Sequence, residues 1–451
     1  MNMQKTPLFY MLIAAIGIMP AVSEAALNYV RAGATGANNG SDWNNAYATL
    51  PSSLVRGNTY YLADGSYSGY TFDDANNGTS VITIKKATAS DHGSDTGWAS
   101  TYGDGQAVFF NWYVYTDYYV FDGQVRNADW RTGGVNQYGI TTGNTRLDNG
   151  SGTGGDNLTF RYIDIHGGGR DTGDGDDVIY GLTGNSNITF QYCALRDSDR
   201  TIFLMRGNWQ NLVVDHSYLA RNTSTPAIHG ELLSMTDSNG VTFSNNAIED
   251  IEGTAVFAGL NDGIASNWKI FGNSFLHTAA YIADTGRQSN HNDGIAGIVF
   301  CANDSSNNNT CNNFLVYNNT VVNIQGTWSG VTIQQGTGNS TQNNIWYNSV
   351  RTGSTAGTAG GNLYINTIAD GDTSASKAVC TSNCSIFVNP ANRDFHLNTA
   401  TATGTALTAP YNTDPDSITR GSDGTWDRGA FEFGGTQSAT MLPPTLRTIT
   451  Q

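Results

Sequence analysis

The feature that most restricts this chain is a nine-residue pattern that recurs seven times without gaps, beginning at Asn157, Asn187, Asn211, Gly240, Asn267, Asn313 and Gln342. Asn157-Leu-Thr-Phe-Arg-Tyr-Ile-Asp-Ile165 and Asn187-Ile-Thr-Phe-Gln-Tyr-Cys-Ala-Leu195 show it most clearly. The first five starts lie 24 to 30 residues apart; a step of 46 between Asn267 and Asn313 marks an insertion. A period of ~20–50 residues belongs to a solenoid, whose units bury a core only by stacking on one another. This removes a difficulty of size. The chain has 451 residues, and an ordinary globular core stops growing near ~250–300.

One unit has a simple physical reading. Its second and fourth positions are mostly apolar and alternate with polar ones, as in a half-buried strand. The seventh position is Asn in the last four segments, at Asn246, Asn273, Asn319 and Asn348. Asn tolerates left-handed backbone in a bend, and amides stacked coil on coil can bond one another as a ladder. The ninth position is apolar again, from Ile165 to Val350. A third short strand is expected after each variable loop, at Val178–Leu182, Ile202–Met205, Leu232–Met235, Ala255–Ala258, Ile295–Phe300 and Val331–Ile333. The fold class is therefore all-β, a solenoid with an Asn ladder.

Charge narrows the partners. With 38 acidic against 22 basic residues the net charge is −16, and no basic stripe suits the chain to nucleic acid. Lys5, the apolar run Leu8–Met19 and Ser23-Glu24-Ala25 read as a secretory signal peptide over residues 1–25. The apolar run is too short for a span of ~20 residues, so no membrane crossing is expected. The expected location is secreted or periplasmic. Five cysteines suit that compartment. Cys301 and Cys311, and Cys380 and Cys384, bracket short polar loops that disulfides could staple, leaving Cys193 as a buried thiol. A zinc site is the rival reading of these cysteines, without the ligand clusters it would need. Residues 26–433 are expected to form one domain, and 434–451 a loose tail. A monomer is expected.

These segments resemble the pectate-lyase-like right-handed parallel β-helix superfamily. The start, Tyr29-Val-Arg-Ala-Gly through Gly57-Asn-Thr-Tyr-Tyr-Leu-Ala-Asp-Gly-Ser-Tyr67, is similar to the opening coil of such proteins. Phe387-Val-Asn-Pro-Ala-Asn-Arg-Asp-Phe-His-Leu397 and Arg428-Gly-Ala-Phe-Glu-Phe433 are similar to their closing coil. The resemblance implies a single-stranded right-handed parallel β-helix. It spans polysaccharide lyases, glycoside hydrolases, epimerases and non-enzymatic surface proteins, with the cleft on the loops of the third turn.

Ionisable residues gather in those loops. In chain order they include Arg170, Asp171, Asp174, Asp176 and Asp177; Asp197, Asp199 and Arg200, with Arg206 after the next strand; His229 and Glu231; Glu249, Asp250 and Glu252; and Asp284, Arg287, His291 and Asp293 in the insertion. Coils stack ~4.8 Å apart, so equivalent loop residues on neighbouring coils can share a ligand or a proton.

Two chemistries fit. β-Elimination from a uronate polysaccharide needs a base, a group to neutralise the carboxylate and an acid for the leaving oxygen. His229, Glu231, Arg200, Asp250 and Arg206 are the catalytic candidates, with Arg200 or His229 as base. Arg170, Asp199, Arg287 and His291 are candidates for binding substrate. Glu249, Asp250 and Glu252 would hold Ca²⁺, which prefers hard carboxylate oxygens. Chondroitinase B-like and alginate lyases of this fold use a Lys base, and the clustered loops carry no Lys. The alternative is glycoside hydrolysis by two carboxylates drawn from Asp199, Glu231 and Asp250, whose separation would set the stereochemistry. A non-catalytic glycan-binding surface is the third reading. Aromatic residues near loops, among them Trp112, Tyr113, Tyr119, Trp209 and Trp328, either stack on sugars or fill the core.

Overall fold

The computed structural model describes residues 25–150, 154–169, 175–223, 230–259, 263–284, 295–301, 308–324, 330–349, 357–367, 372–381 and 384–434. Nearly all of the expected leader and of the expected tail, and Arg170, Asp171, Asp174, His229, Arg287, His291, Asp293 and Trp328 lie outside them.

Three long parallel sheets run the length of the molecule. One coil shows how the chain builds them. Leu158–Arg161 lies in sheet A, Ile163–His166 in sheet B and Ile179–Gly181 in sheet C, and Ser186–Gln191 returns to sheet A one layer further on. Leu158 then faces Ile188, and Phe160 faces Phe190. Parallel crossovers of this kind are right-handed. The architecture is an all-β right-handed parallel β-helix. The expected third strands all appear, within two residues of their expected ends, and all six belong to sheet C.

Alternation decides what is inside. The fourth position of the repeat forms one inward column: Ile84, Phe121, Phe160, Phe190, Val214, Phe243, Ile270 and Val316 pair in register from coil to coil. Phe121, Phe160 and Phe190 stack with ring centres 4.8 and 4.7 Å apart, one coil step. The first and sixth positions hold the bends. Asn157, Asn187, Asn211, Asn267 and Asn313 take positive φ at one corner, and Tyr162, Tyr192, His216, Asn245, Gly272 and Asn318 at the next. Asn visits this region more readily than most residues with a Cβ.

The Asn ladder is present, and its register corrects the expected one. Asn246, Asn273, Asn319, Asn344 and Asn362 form its rungs, each Nδ2 donating to the next Oδ1 at 2.9–3.0 Å. Asn344 takes the place expected of Asn348, so the seventh segment begins four residues earlier, at Gly338. The expected alignment had put Ile345 in the inward column. The chain instead turns Asn339 and Thr341 inward, where Asn339 bonds Phe314 N and Cys311 O. Asn348 belongs to another corner and bonds Asn323.

Both disulfides form as read, Cys301–Cys311 and Cys380–Cys384, and Cys193 is a buried free thiol. Cys301 and Cys311 sit inside the helix and link sheet C to sheet A. Of the loop-flanking aromatics, Trp112, Tyr119 and Trp209 are core. Beyond the last coil, residues 384–434 run back along the corner between sheets A and B. They touch Asn343 through Thr405, Asn318 through Tyr411, His216 through Pro415 and Arg131 through Asp416. Among the described residues no helix is long and apolar enough to cross a membrane.

Candidate functional site

An open cleft of about 310 Å³ lies where sheet B turns into sheet C, lined in part by Asn144, Arg146, Asp176, Asp177, Tyr180 and Arg200. Strand alternation points three of its side chains outward. Tyr113, Arg146 and Tyr180 share one register position on consecutive strands of sheet C. The Arg146 guanidinium lies over the Tyr180 ring at 4.8 Å. Its Nε donates to the Asp148 carbonyl at 2.9 Å, and its Nη2 is 3.8 Å from the Asp148 carboxylate.

The same register aligns a second column. Because Ile179 faces Phe203 and Phe203 faces Leu233, Asp177, Thr201 and Glu231 stand one above another, and Arg200 precedes the middle one. Arg200 grips Asp177 with two hydrogen bonds, from Nε to Oδ1 at 2.9 Å and from Nη2 to Oδ2. The Asp177 bond is the main cause holding Arg200 above its ordinary pKa. Burial pushes the Asp177 carboxyl up, and the guanidinium opposes it. With this bidentate geometry the pair is read as ionised. Arg206 bonds the carbonyl and hydroxyl of Ser234, and burial lowers its pKa while Glu231 and Asp177 work against that. Three of the expected catalytic residues, Arg200, Arg206 and Glu231, are thus neighbours beside Asp177 and Tyr180.

The other described ones stand apart. Glu249 faces outward from sheet B and pairs with Arg393, from Nη2 to Oε1 at 2.8 Å and from Nε to Oε2 at 2.6 Å. Burial raises its pKa. Asp250 accepts from Thr278 N and Oγ1 at 2.8 and 2.9 Å, where Thr278 caps the short helix Ala279–Ala283. Glu252 is buried, its backbone paired with the Asn222 amide. Among the described residues no three His, Cys, Asp or Glu come together to hold a metal ion. Glu249 and Asp250 already have protein donors, so this trio does not fit a Ca²⁺ site. Asp199 is buried, accepting from Gly175 N. Asp176 accepts from Asn144 Nδ2, Gly168 N and Asp199 N.

Reading the loops alone missed Asn144, Arg146, His166 and Tyr180, while Tyr113, expected to stack on sugars or fill the core, lines the cleft. His166 ends a sheet B strand and pairs its Nδ1 with the Gly167 carbonyl at 3.0 Å. Against a carbonyl Nδ1 is the donor, and in the neutral ring Nε2 is then the acceptor nitrogen. His166 lines a second hollow of about 550 Å³, which shares Asn111, Asn144 and Asp176 with the first. Carried upstream of Asn157 without gaps, the 30-residue step sets Gly150 rather than Arg146 against Tyr180, so the repeat does not align this pair.

Compared with known proteins, the chain matches no family model and no curated protein. Among solved structures it is similar to the crystal structure of pectate lyase Pel9A, over 91% of this chain and 97% of that one, at 14% identity and a TM-score of 0.42. It is also similar to the PL6 family alginate lyase AlyGC, over 79% of this chain and 53% of that one, at 11% identity and a TM-score of 0.34. The strand pairing of this chain by itself makes the architecture the parallel β-helix that its sequence resembles.

Proposed function

We propose that this protein is an exported enzyme that cleaves an acidic polysaccharide by β-elimination in the cleft between sheets B and C. The observation that carries the reading is the pairing of cations in that cleft. Arg200 is bidentate on Asp177, which leaves Arg146, half-exposed and stacked on Tyr180, as the guanidinium that meets a substrate carboxylate. Arg is suited to this by its planar fork of donors.

The chemistry then follows from what lines the groove. Arg146 clamps the uronate carboxylate and makes the adjacent C–H more acidic. His166 Nε2 takes that proton, its ring held by the Gly167 carbonyl. The Tyr180 or Tyr113 hydroxyl donates to the leaving glycosidic oxygen, and the product carries a C=C bond in its new end. Arg200 serves as a positioning residue, since a guanidinium whose proton is held by Asp177 is a poor base.

Hydrolysis has one point in its favour. Asp177 and Glu231 are two coil steps apart, about 10 Å, near the wide limit for inverting carboxylate pairs. The Arg200 grip on Asp177 argues against it, because a general acid has to give up a proton. The test is to incubate the protein with polygalacturonate, alginate and glycosaminoglycans. New ultraviolet absorbance from unsaturated uronide is expected. New reducing ends without that absorbance would replace elimination by hydrolysis, and binding without any product would make the protein a glycan-binding surface.

A further inference from the structure

The groove is chemically uneven along its length. Its cationic part holds Arg146 and Arg200. The larger adjoining hollow is lined by Ser66, Val108, Phe110 and His166, and no Lys or Arg lines it among the described residues. Asp176 sits where the two parts meet.

The hollow has an apolar platform instead. Phe110 is 75% exposed and Val108 40% exposed, whereas the neighbouring Phe109 and Trp112 are buried. An exposed ring held beside a groove offers a flat, weakly hydrated face that suits the C–H face of an uncharged sugar. A carboxylate there would find no described cation to pair with and would lose solvation without compensation. Phe110 precedes the Trp112–Val114 strand, and Arg146 faces Tyr113 on the next strand of sheet C. One coil step, ~4.8 Å, and three residues along the chain at ~3.3 Å each put the two about 10 Å apart, the reach of a disaccharide.

From this juxtaposition we propose that the groove takes a polysaccharide in which uronates alternate with uncharged sugars, rather than a homopolymer of uronates. The uronate meets Arg146 and the neutral sugar lies on Phe110. The proposal rests on the elimination reading and makes it more specific.

The test uses the leaderless full chain with hyaluronan and unsulfated chondroitin as alternating polymers, and polygalacturonate and alginate as homopolyuronates. The alternating polymers are expected to give unsaturated product with kcat/KM about tenfold or more above the homopolyuronates, the range one well-fitted pocket contact supplies. Phe110→Ala should raise KM for an alternating tetrasaccharide about tenfold, leave kcat nearly unchanged and leave the melting curve in place. Equal or better cleavage of a homopolyuronate would overturn the alternating substrate and leave elimination standing. So would a Phe110→Ala protein with unaltered KM. No product from any of the four polymers would overturn elimination, and this proposal with it.

Discussion

Arg146 places its guanidinium carbon 4.8 Å from the centre of the Tyr180 ring, and the two residues hold the same register position on adjacent strands of sheet C. Register alone brings them together, since they are 34 residues apart in the chain. A flexible loop could present an arginine to substrate, but here a ring beneath and the Asp148 carbonyl beside it hold the fork in place. Preorganisation of this kind favours binding of a planar carboxylate.

Arg146→Ala is therefore expected to lower kcat/KM on the cleaved polysaccharide by about 10- to 100-fold, equivalent to about 1.5–3 kcal/mol for a charged hydrogen bond. Arg146→Lys should recover only a small part. Melting temperature should barely move, because the side chain is partly exposed. Wild-type kinetics in Arg146→Ala would remove Arg146 from the site.

The buried ladder should be far less tolerant than the exposed one. Asn319 donates to Ile270 O and Asn344 Oδ1, and accepts from the backbone and side-chain amides of Asn273. Asn319→Leu orphans several buried groups at once and is expected to destabilise the protein by about 4 kcal/mol, at ~1–3 kcal/mol each. Asn187 bonds Asn157 on the exposed corner at 3.0 Å, with φ of 58°. Asn187→Gly keeps that backbone accessible and should change stability by less than about 1 kcal/mol. Denaturant midpoints of the two variants check the contrast.

The returning C-terminal segment carries a pH-dependent clasp. His396 bonds Asp394 and Asp416, and Asp416 also bonds Arg131, 285 residues away in the chain. Burial pulls the His396 pKa down, but the two carboxylates outweigh it and hold it above its ordinary value. Burial likewise raises Asp416, yet His396 and Arg131 bring it down to about 2. The signs set the window. A raised His stabilises fully below its unfolded value of about 6.5 and loses that as pH rises. A lowered Asp stabilises above about 4 and loses that as pH falls towards 2. Melting temperature should peak between about pH 4 and 6.5. His396→Asn should flatten the alkaline side of the profile, and an unchanged profile would show that the clasp contributes nothing.

Removing the internal disulfide with Cys301→Ala and Cys311→Ala opens a loop with a sequence separation of 10. Loop-closure entropy for so short a ring is about 2.5–3 kcal/mol. A melting-point drop of that order is expected, with circular dichroism unchanged at room temperature. Loss of the β signal would show that the bridge is needed for folding itself.

The fold was legible because its inward column is aromatic and aliphatic for many coils, and apolar alternation is a strong signal. It faded where polar residues turn inward. Asn339 and Thr341 are buried through hydrogen bonds rather than hydrophobicity, and this moved the expected seventh segment by four residues. Upstream of Asn157 the corner residue is Tyr118 rather than Asn, so the earlier coils did not announce themselves. The site was half legible for the same reason. Arg200, Arg206 and Glu231 come from aligned loops and converge. Arg146 and Tyr180 come from a strand register that no loop motif marks. Glu249 and Asp250 have charge in the right order along the chain, but the strand turns Glu249 towards Arg393, and Asp250 accepts from Thr278, the cap of a short helix.

The corner ladder also has a direction. Cys193 N donates to Ser217 Oγ, Ser217 N to Asn246 Oδ1, and each Asn N to the Oδ1 one coil onward, as far as Asn362. Every backbone N–H of this corner column thus waits for an acceptor that lies later in the chain. A chain stopped between coils ends on an orphaned corner N–H at its open face, while one begun between coils lacks the earlier carbonyl that each Asn Nδ2 also bonds, as Asn246 bonds Val214 O and Asn319 bonds Ile270 O. Growth from the N-terminus therefore leaves an unsatisfied donor at the advancing end, which each newly made coil satisfies, until Asn362 passes its own side-chain bond to the Asp372 carboxylate.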